Sequence, residues 1–256
     1  MSVDTTTAAF EPIAPGTPGG PLYRAVKRSL LHAIERRACA PGGALPSETE
    51  LASAFGVSIG TVRHAVDELV AEHILIRRQG RGTFVAVHNA DRFLFQFFHV
   101  ERSDGLREVP KVELVLFERS RADDDQAQAL GLKEGDPVLR IENRLMLQGR
   151  PVIHDRLALS PALFKGLTEK RFRERPSTIY SLYETDFAIS VTRAHERARA
   201  AAADRAASRV LGIAPGTPVI ELHRTALTFG DKPVEYRVSI INTAHHEYVH
   251  MLSRPT

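Results

Sequence analysis

The chain has one cysteine, Cys39, in 256 residues. No intrachain disulfide can form, which suits a reducing compartment, and Cys39 reads as a small buried apolar residue. Long hydrophobic runs are missing too, so no membrane span is expected. The N-terminus lacks the basic-then-apolar pattern of a secretory leader, and the expectation is a cytoplasmic protein. G-x-S-x-G, the Walker loop and H-E-x-x-H are all absent, and nothing places a nucleophile beside a base, so the chain reads as a non-enzyme. His245, His246 and His250 have no cysteine or carboxylate at ligand spacing, and adjacent strand residues point to opposite faces. They read as packing or solvated groups, and neither a metal nor a cofactor is expected. The acid run Asp123, Asp124 and Asp125 reads as a helix N-terminus collecting negative charge.

What is present is the balance of a globular protein of one or two domains, 43% hydrophobic and 25% charged. The formal net charge is +3 and the sequence pI about 9.2, compatible with a polyanionic partner. The informative stretch runs from Leu45 to Val85. Ser47 precedes Glu48, Thr49 and Glu50, a helix start, and this short helix ends at Phe55-Gly56. After Val57, Ser58 caps a second helix whose inner face is Val62, Ala65, Val66, Leu69 and Val70. Ser58, Gly60, Thr61, Arg63, His64 and Asp67 stand off that face. Two helices joined by a tight glycine turn form a helix-turn-helix, and the start of the second enters the major groove. Gly60 and Thr61 allow close approach, and Arg63 reaches a guanine edge or a phosphate. Two strands follow. The first leads in through Ile74, Leu75 and Ile76, and the second leads out through Thr83, Phe84 and Val85. Between them, Arg77, Arg78, Gln79, Gly80, Arg81 and Gly82 form a cationic wing tip suited to the minor groove. DNA contacts are therefore expected from Ser47, Thr49, Ser58, Gly60, Thr61, Arg63, His64, Arg77, Arg78, Gln79, Arg81 and Gly82. In the preceding helix, with its stripe of Val26, Leu30, Leu31 and Ile34, Arg24, Lys27 and Arg28 are candidate phosphate contacts.

Residues 1–20 read as a disordered tail, 21–87 as the winged helix-turn-helix, 88–93 as a short linker, and 94–256 as a second domain. The second domain repeats itself. Leu130-Gly131-Leu132-Lys133-Glu134-Gly135-Asp136-Pro137-Val138-Leu139 echoes Leu211-Gly212-Ile213-Ala214-Pro215-Gly216-Thr217-Pro218-Val219-Ile220. Each copy follows an Ala-rich helical segment and precedes a hairpin with Gly149 or Gly230 at its turn. Two such halves are expected to pair into one antiparallel sheet with helices on one face. Further strands are expected at 92–101, 111–119 and 189–200, with a helix at 177–187 capped by Ser177. The fold class is mixed α/β: a winged helix-turn-helix followed by an α+β domain with a mainly antiparallel sheet.

Residues 22–87 resemble the winged helix-turn-helix of the GntR family of bacterial transcription regulators. The motifs Leu-Pro-Ser-Glu-x-Glu-Leu-Ala, Val-Ser-x-x-Thr-Val-Arg and Arg-x-Gly-x-Gly-Thr-Phe-Val carry the resemblance. Thr49 and Ile59 stand where many members have DNA-touching arginines, which implies a different operator. Residues 94–250 resemble the UTRA effector domain of the histidine-utilisation-repressor-like subfamily, chorismate-lyase-like in fold. The echoed Leu-Gly-x-x-x-Gly-x-Pro-Val, Ser181-Leu182-Tyr183 and Pro233-Val234-Glu235-Tyr236 carry this second resemblance. It invites an enzymatic reading, against which the missing catalytic groups argue. A ligand-independent DNA binder is the other alternative, and a second domain of this size argues against it.

The expectation is a repressor that binds a palindromic operator in double-stranded DNA as a homodimer. One recognition helix covers too few base pairs to find an operator alone, and the resemblance implies pairing through the effector domains. Polar residues that break the apolar strands are candidates to line an effector cavity: Arg144, Asp155 and Glu235, with Ser181 and Tyr183 on the helix. The resemblance implies the same positions and adds Phe97, Phe98 and His99. Met146 stands where relatives have a second arginine, and Ile241 where a tyrosine is common. With Phe95, Phe97 and Phe98 nearby, the expected effector is a small organic anion such as a carboxylate rather than a phosphosugar.

Overall fold

A computed structural model describes residues 10–13 and 20–250. The chain divides into two compact units, residues 1–87 and 88–256. In the first, helix α1 (Leu22–Glu35) buries Val26, Leu30, Ala33 and Ile34, one side of a helix at spacings of three and four. Helix α2 (Glu48–Phe55) opens on a capping box between Ser47 and Glu50 and closes on Gly56, at φ 68°. Helix α3 (Ile59–Ala71) is capped by Ser58 and buries Val62, Ala65, Val66 and Leu69. Strands β1 (Leu75–Arg78) and β2 (Gly82–Val85) then form an antiparallel hairpin. Its outer edge is covered by an isolated bridge from Ala44 to Phe84, reinforced by Leu45 N–H donating to Thr83 O at 2.8 Å.

The expectation of a disordered tail through residue 20 does not hold for residues 10–13. Phe10 is buried, its ring meets Phe55 edge-on at 5.2 Å, and Ile13 N–H donates to Phe55 O at 2.9 Å. Burying an aromatic ring contributes about 1.5–3 kcal/mol, enough to fix a short segment. Residues 1–9 and 14–19 of the expected tail, and 251–256 of the expected second domain, lie outside the described residues.

The expected linker 88–93 belongs to the second unit. His88 is buried there, Asn89 caps helix α4 (Ala90–Arg92), and a π-helical turn spans Phe93–Phe97. A strand expected at 92–101 is thus replaced by helical turns, with strand β3 (Val100–Arg102) alone extended. The reason is visible in the aromatics. Phe93, Phe97 and Phe98 gather on one side, Phe93 stacking on Phe98 at 5.5 Å, which helical spacing permits and strand alternation does not.

A six-stranded antiparallel sheet follows, built from β4 (Lys111–Arg121), β5 (Pro137–Leu147), β6 (Arg150–Leu159), β7 (Arg193–Ala202), β8 (Pro218–Leu227) and β9 (Pro233–Ile241). Its order is β4-β5-β6-β9-β8-β7, so the two echoed hairpins meet where β6 pairs β9. Strand β10 (His246–Tyr248) pairs β3 in a separate ribbon.

Helices cover both faces of the large sheet, not one. Leu139, Ile141 and Leu157 point into the main core with Phe172 of α6 (Glu169–Arg173) and Ile179, Leu182 and Tyr183 of α7 (Ile179–Phe187). Their strand neighbours point the other way. Val138 and Ala158 meet α5 (Asp124–Leu130), and Val219 and Ile240 meet α8 (Arg205–Leu211). The cap of α7 is Thr178, whose side chain accepts from Ser181 N–H, rather than Ser177.

Candidate functional site

Two sites emerge, one in each unit. In the first, the residues expected to read DNA divide into those that build the reader and those that face outward. Ser47 and Ser58 spend their side chains on helix caps, accepting from Glu50 N–H at 3.2 Å and Thr61 N–H at 3.1 Å. Thr49, Gly60 and Arg63 are exposed on α2 and α3. A Cβ added to Gly60 would meet nothing nearer than Ser58 Oγ at 3.8 Å, so this backbone is open to close approach from outside. His64 is exposed beside Tyr23, ring centroids 4.1 Å apart.

The wing turns through Gly80 and Gly82 at φ 69° and 105°, with Gln79 and Arg81 exposed at its tip. Arg78 lies over the Phe84 ring at 4.7 Å, a cation–π contact that holds it along the strand. Arg81 has no carboxylate partner among the described residues. An open groove of about 590 Å³ runs between Ser47-Glu48 and the wing.

Glu48 organises this surface and was not among the expected contacts. Arg63 Nε donates to Glu48 Oε2 at 2.9 Å, and Arg77 Nη2 donates to Glu48 Oε1 at 3.2 Å. Arg77 also pairs with Asp67 at 2.5 Å. Lys27, expected on a phosphate, is instead tied to Glu68 and Glu72 at 2.7 and 2.5 Å.

In the second unit a cavity of about 200 Å³ opens on the core face of the sheet, walled by Phe93, Val109, Pro110 and Leu145. Its polar groups are Asn143, Asp155 and Arg237 from the sheet, and Arg175, Ser177 and Thr178 from the approach to α7. Beneath it lies a buried ionic network. Arg237 donates through Nε and Nη2 to Glu235 at 2.9 and 3.0 Å and through Nη1 to Asp155 at 2.9 Å. Tyr183 and Tyr180 hydroxyls donate to Glu235 at 2.7 and 3.3 Å, and Ser239 donates to Asp155 at 2.5 Å. Burial alone disfavours the Arg237 cation, but Glu235 and Asp155 outweigh it and hold its pKa well above the ordinary value. Burial, with Glu235 alongside, pushes the Tyr180 hydroxyl up to about 12 and that of Tyr183 well up.

The expected effector residues are distributed around this network. Asp155 lines the cavity, and Phe97, Phe98 and His99 line a recess of about 20 Å³ that shares Phe93, Asp155 and Arg237 with it. Within the recess Arg224, itself buried, donates through Nη2 to Phe97 O at 2.5 Å. The side chain of Phe95 lies outside those described. Tyr183 and Glu235 are fully buried supports. Ser181 is half-buried in α7 and lines neither space.

Arg144 is elsewhere. Asn143 pairs across the sheet with Asp155, whereas Arg144 pairs with His154, so Arg144 and Asp155 point to opposite faces. Arg144 is half-exposed and bound to Glu113 at 2.6 Å. The cavity-facing positions of β5 are Asn143 and Leu145, not Arg144 and Met146. Sequence reasoning missed Asn143, Arg175 and Arg237. Arg175 is one of four cations between Lys170 and Arg175 with no spacing that singles it out, Arg237 falls just past the Pro233–Tyr236 motif, and Asn143 needed the strand's phase.

A winged helix-turn-helix followed by an α+β domain holding a polar-floored cavity defines a ligand-sensing class of DNA-binding protein. Comparison with known proteins agrees. The model of bacterial regulatory proteins of the gntR family matches residues 22–85, and that of the UTRA domain matches residues 105–247. The chain belongs to the GntR family, in its histidine-utilisation-repressor-like group with a UTRA domain.

It is 28% identical over 237 residues to the HTH-type transcriptional repressor NagR of Bacillus subtilis, covering 91% of this chain and 96% of that protein. It is 36% identical over 125 residues to the histidine utilization repressor of Klebsiella aerogenes, covering 48% of this chain and 52% of that protein. The ligand-binding domain of a GntR-family transcriptional regulator from Bordetella bronchiseptica superposes with a TM-score of 0.58 at 30% identity, covering 62% of this chain and 99% of that one. The chain is thus a DNA-binding transcription regulator and not an enzyme. Among the described residues no helix is long and apolar enough to cross a membrane.

Proposed function

We propose that this chain is a cytoplasmic repressor that binds a palindromic operator in double-stranded DNA as a homodimer. It releases the operator when a small organic anion, a carboxylate, fills the cavity beside Arg175. The observation that carries the reading is the pairing of two chemistries in separate units. One unit exposes Thr49, Gly60, Arg63 and the wing cation Arg81, with Thr61 half-buried beside them. The other offers a cavity with a cation awaiting a partner. The dimer follows from the small footprint of one reader, since a single helix and wing cannot supply the specificity a genome demands. Release follows if the effector favours the arrangement that does not fit DNA, by its differential affinity for the two states.

The test is a gel shift on DNA from upstream of the protein's own gene, with and without a small-molecule extract of its host. Loss of the shifted band with extract, and its return after dialysis, are expected. Binding that no extract alters would reject the sensor.

A further inference from the structure

We infer that the effector is dipolar: one carboxylate seated on Arg175 at the start of α7, and one N–H or O–H donor seated on the side-chain oxygen of Asn143. This rests on the cavity being the effector site, and goes on to state which groups the effector must carry.

The cation comes first. Of the two guanidiniums at the cavity, Arg237 already faces two carboxylates, Glu235 and Asp155. Arg175 has none among the described residues. Its Nη1 donates to Phe172 O at 2.5 Å and its guanidinium lies 4.5 Å from the Phe172 ring centroid, but its Nε is buried without a hydrogen-bond partner. Burial lowers its pKa from the usual arginine value, the mark of a cation short of compensation. A carboxylate supplies both the missing charge and an acceptor for Nε–H. Ser177, Thr178 and Ile179, where α7 begins, line the same end, and the N–H groups of a helix start favour an anion. One unmatched cation calls for one negative charge, which favours a monoanion over a phosphate dianion.

The acceptor is independent of the cation. Asn143 is 3% exposed, lines the cavity, and its Oδ1 has no donor in reach. Leaving such an oxygen unpaired costs about 1–3 kcal/mol, which a ligand donor relieves. The neighbouring donors are turned elsewhere: Arg237 donates to Glu235 and Asp155, and Ser239 donates to Asp155. The ionic floor adds a matching bias. Asp155, Glu235 and Arg237 together carry one excess negative charge, so the sheet side favours a donor while the α7 side favours an anion. Between the two lie Phe93, Val109, Pro110 and Leu145, which suit a small apolar ring.

The experiment uses the full-length protein and calorimetric titration with pyrrole-2-carboxylate and pyrrole-3-carboxylate. Each is compared with its furan counterpart, which replaces N–H by O, and with its carboxamide, which removes the charge. The pyrrole acids should bind at least about tenfold tighter than either partner set, the effect of about one charged hydrogen bond. Arg175→Met should abolish the preference for acid over amide while keeping that for N–H over O. Asn143→Leu should do the reverse, a split that loss of folding cannot produce. Arg144→Ala, on the opposite face of the sheet, should titrate like the parent. Furan acids equal to pyrrole acids, amides equal to acids, or no binding by any of these probes would each overturn the assignment. If the probes fail while a host extract still releases the protein from DNA, the dipolar assignment falls and the regulator reading stands. If the extract is inert as well, both fall.

Discussion

His88 shows how one buried side chain sets a property of the whole second unit. Its ring lies 5.8 Å from both Phe97 and Tyr180, its backbone N–H donates to Glu184 at 3.1 Å, and its Nε2 has no partner. Burial, and then the charge of Arg92, pushes its pKa down to about 3. The folded pKa lies below the unfolded value near 6.5, so the stability held by neutral His88 is complete above about pH 6.5 and drains away as pH falls. Between about pH 7 and pH 5 the protein should lose about 2 kcal/mol, read from urea midpoints. His99 and His246, also lowered by burial, act in the same direction. His88→Phe should lose less across that range, and a variant as acid-sensitive as the parent would clear His88 as the source. Nothing in the sequence marks His88 as buried. Polar positions in the sheet were legible in kind but not in direction. Strands β5 and β6 are buried on both faces for most of their length, so no apolar–polar alternation reveals their phase. That is why Arg144 was expected where Asn143 stands. Glu235, between apolar neighbours in β9, was visible as a break in the pattern, but its role as the anchor of Arg237 depends on a strand-mate two residues away.

The elements of the reader were legible almost whole, because each is bounded by chemistry that acts locally. Serine caps, glycine at left-handed φ and a helical stripe need no tertiary information. What joins them was not legible, since Glu48 looks like any helix-opening acid. In the fold it bridges α3 to β1 by holding Arg63 and Arg77 together. Glu48→Ala frees Arg63, leaves Arg77 held by Asp67 alone, and removes a negative charge from this surface. Operator affinity should fall severalfold, for loss of orientation worth about 1 kcal/mol, while affinity for unrelated DNA should rise. Measured at one salt concentration, the ratio of the two affinities should therefore drop. An equal rise in both would mean that Glu48 only repels phosphate. The wing is the complementary case. Arg81 is its exposed tip cation and Arg78 is stacked on Phe84, so Arg81 is the wing group proposed to meet a phosphate or the minor groove. Arg81→Ala should weaken binding and reduce the slope of log affinity against log salt by about 0.9, the release of one counterion. Arg78→Ala should change that slope less and hairpin stability more. If Arg81→Ala leaves the slope intact, the wing tip does not touch DNA.

For the molecule as a whole, the question is how many copies hold one operator. Each chain brings one helix-turn-helix and one wing, and its sheet has two edge strands, β4 and β7, whose outer backbone groups no strand in the same sheet covers. Specific binding is typically tighter than non-specific binding by about 4–10 kcal/mol. If two identical readers share that difference, each accounts for about 2–5 kcal/mol, and losing one costs at least about thirtyfold in affinity. Two-fold symmetry further requires that the two half-sites be inverted copies about one helical turn, or a multiple of it, apart. The prediction is that footprinting will show a protected palindrome, and that scrambling either half-site alone will lower affinity by about thirtyfold or more. Inserting five base pairs between the half-sites should be nearly as damaging, because about half a turn puts the second reader on the opposite side of the duplex. Sedimentation of the complex should give two chains per duplex. A complex with one chain per duplex, or an operator in which one half-site can be scrambled without loss, would mean that a single winged unit suffices. Specificity would then have to come from bases that Arg63, Thr61 and Thr49 read without help from a second copy.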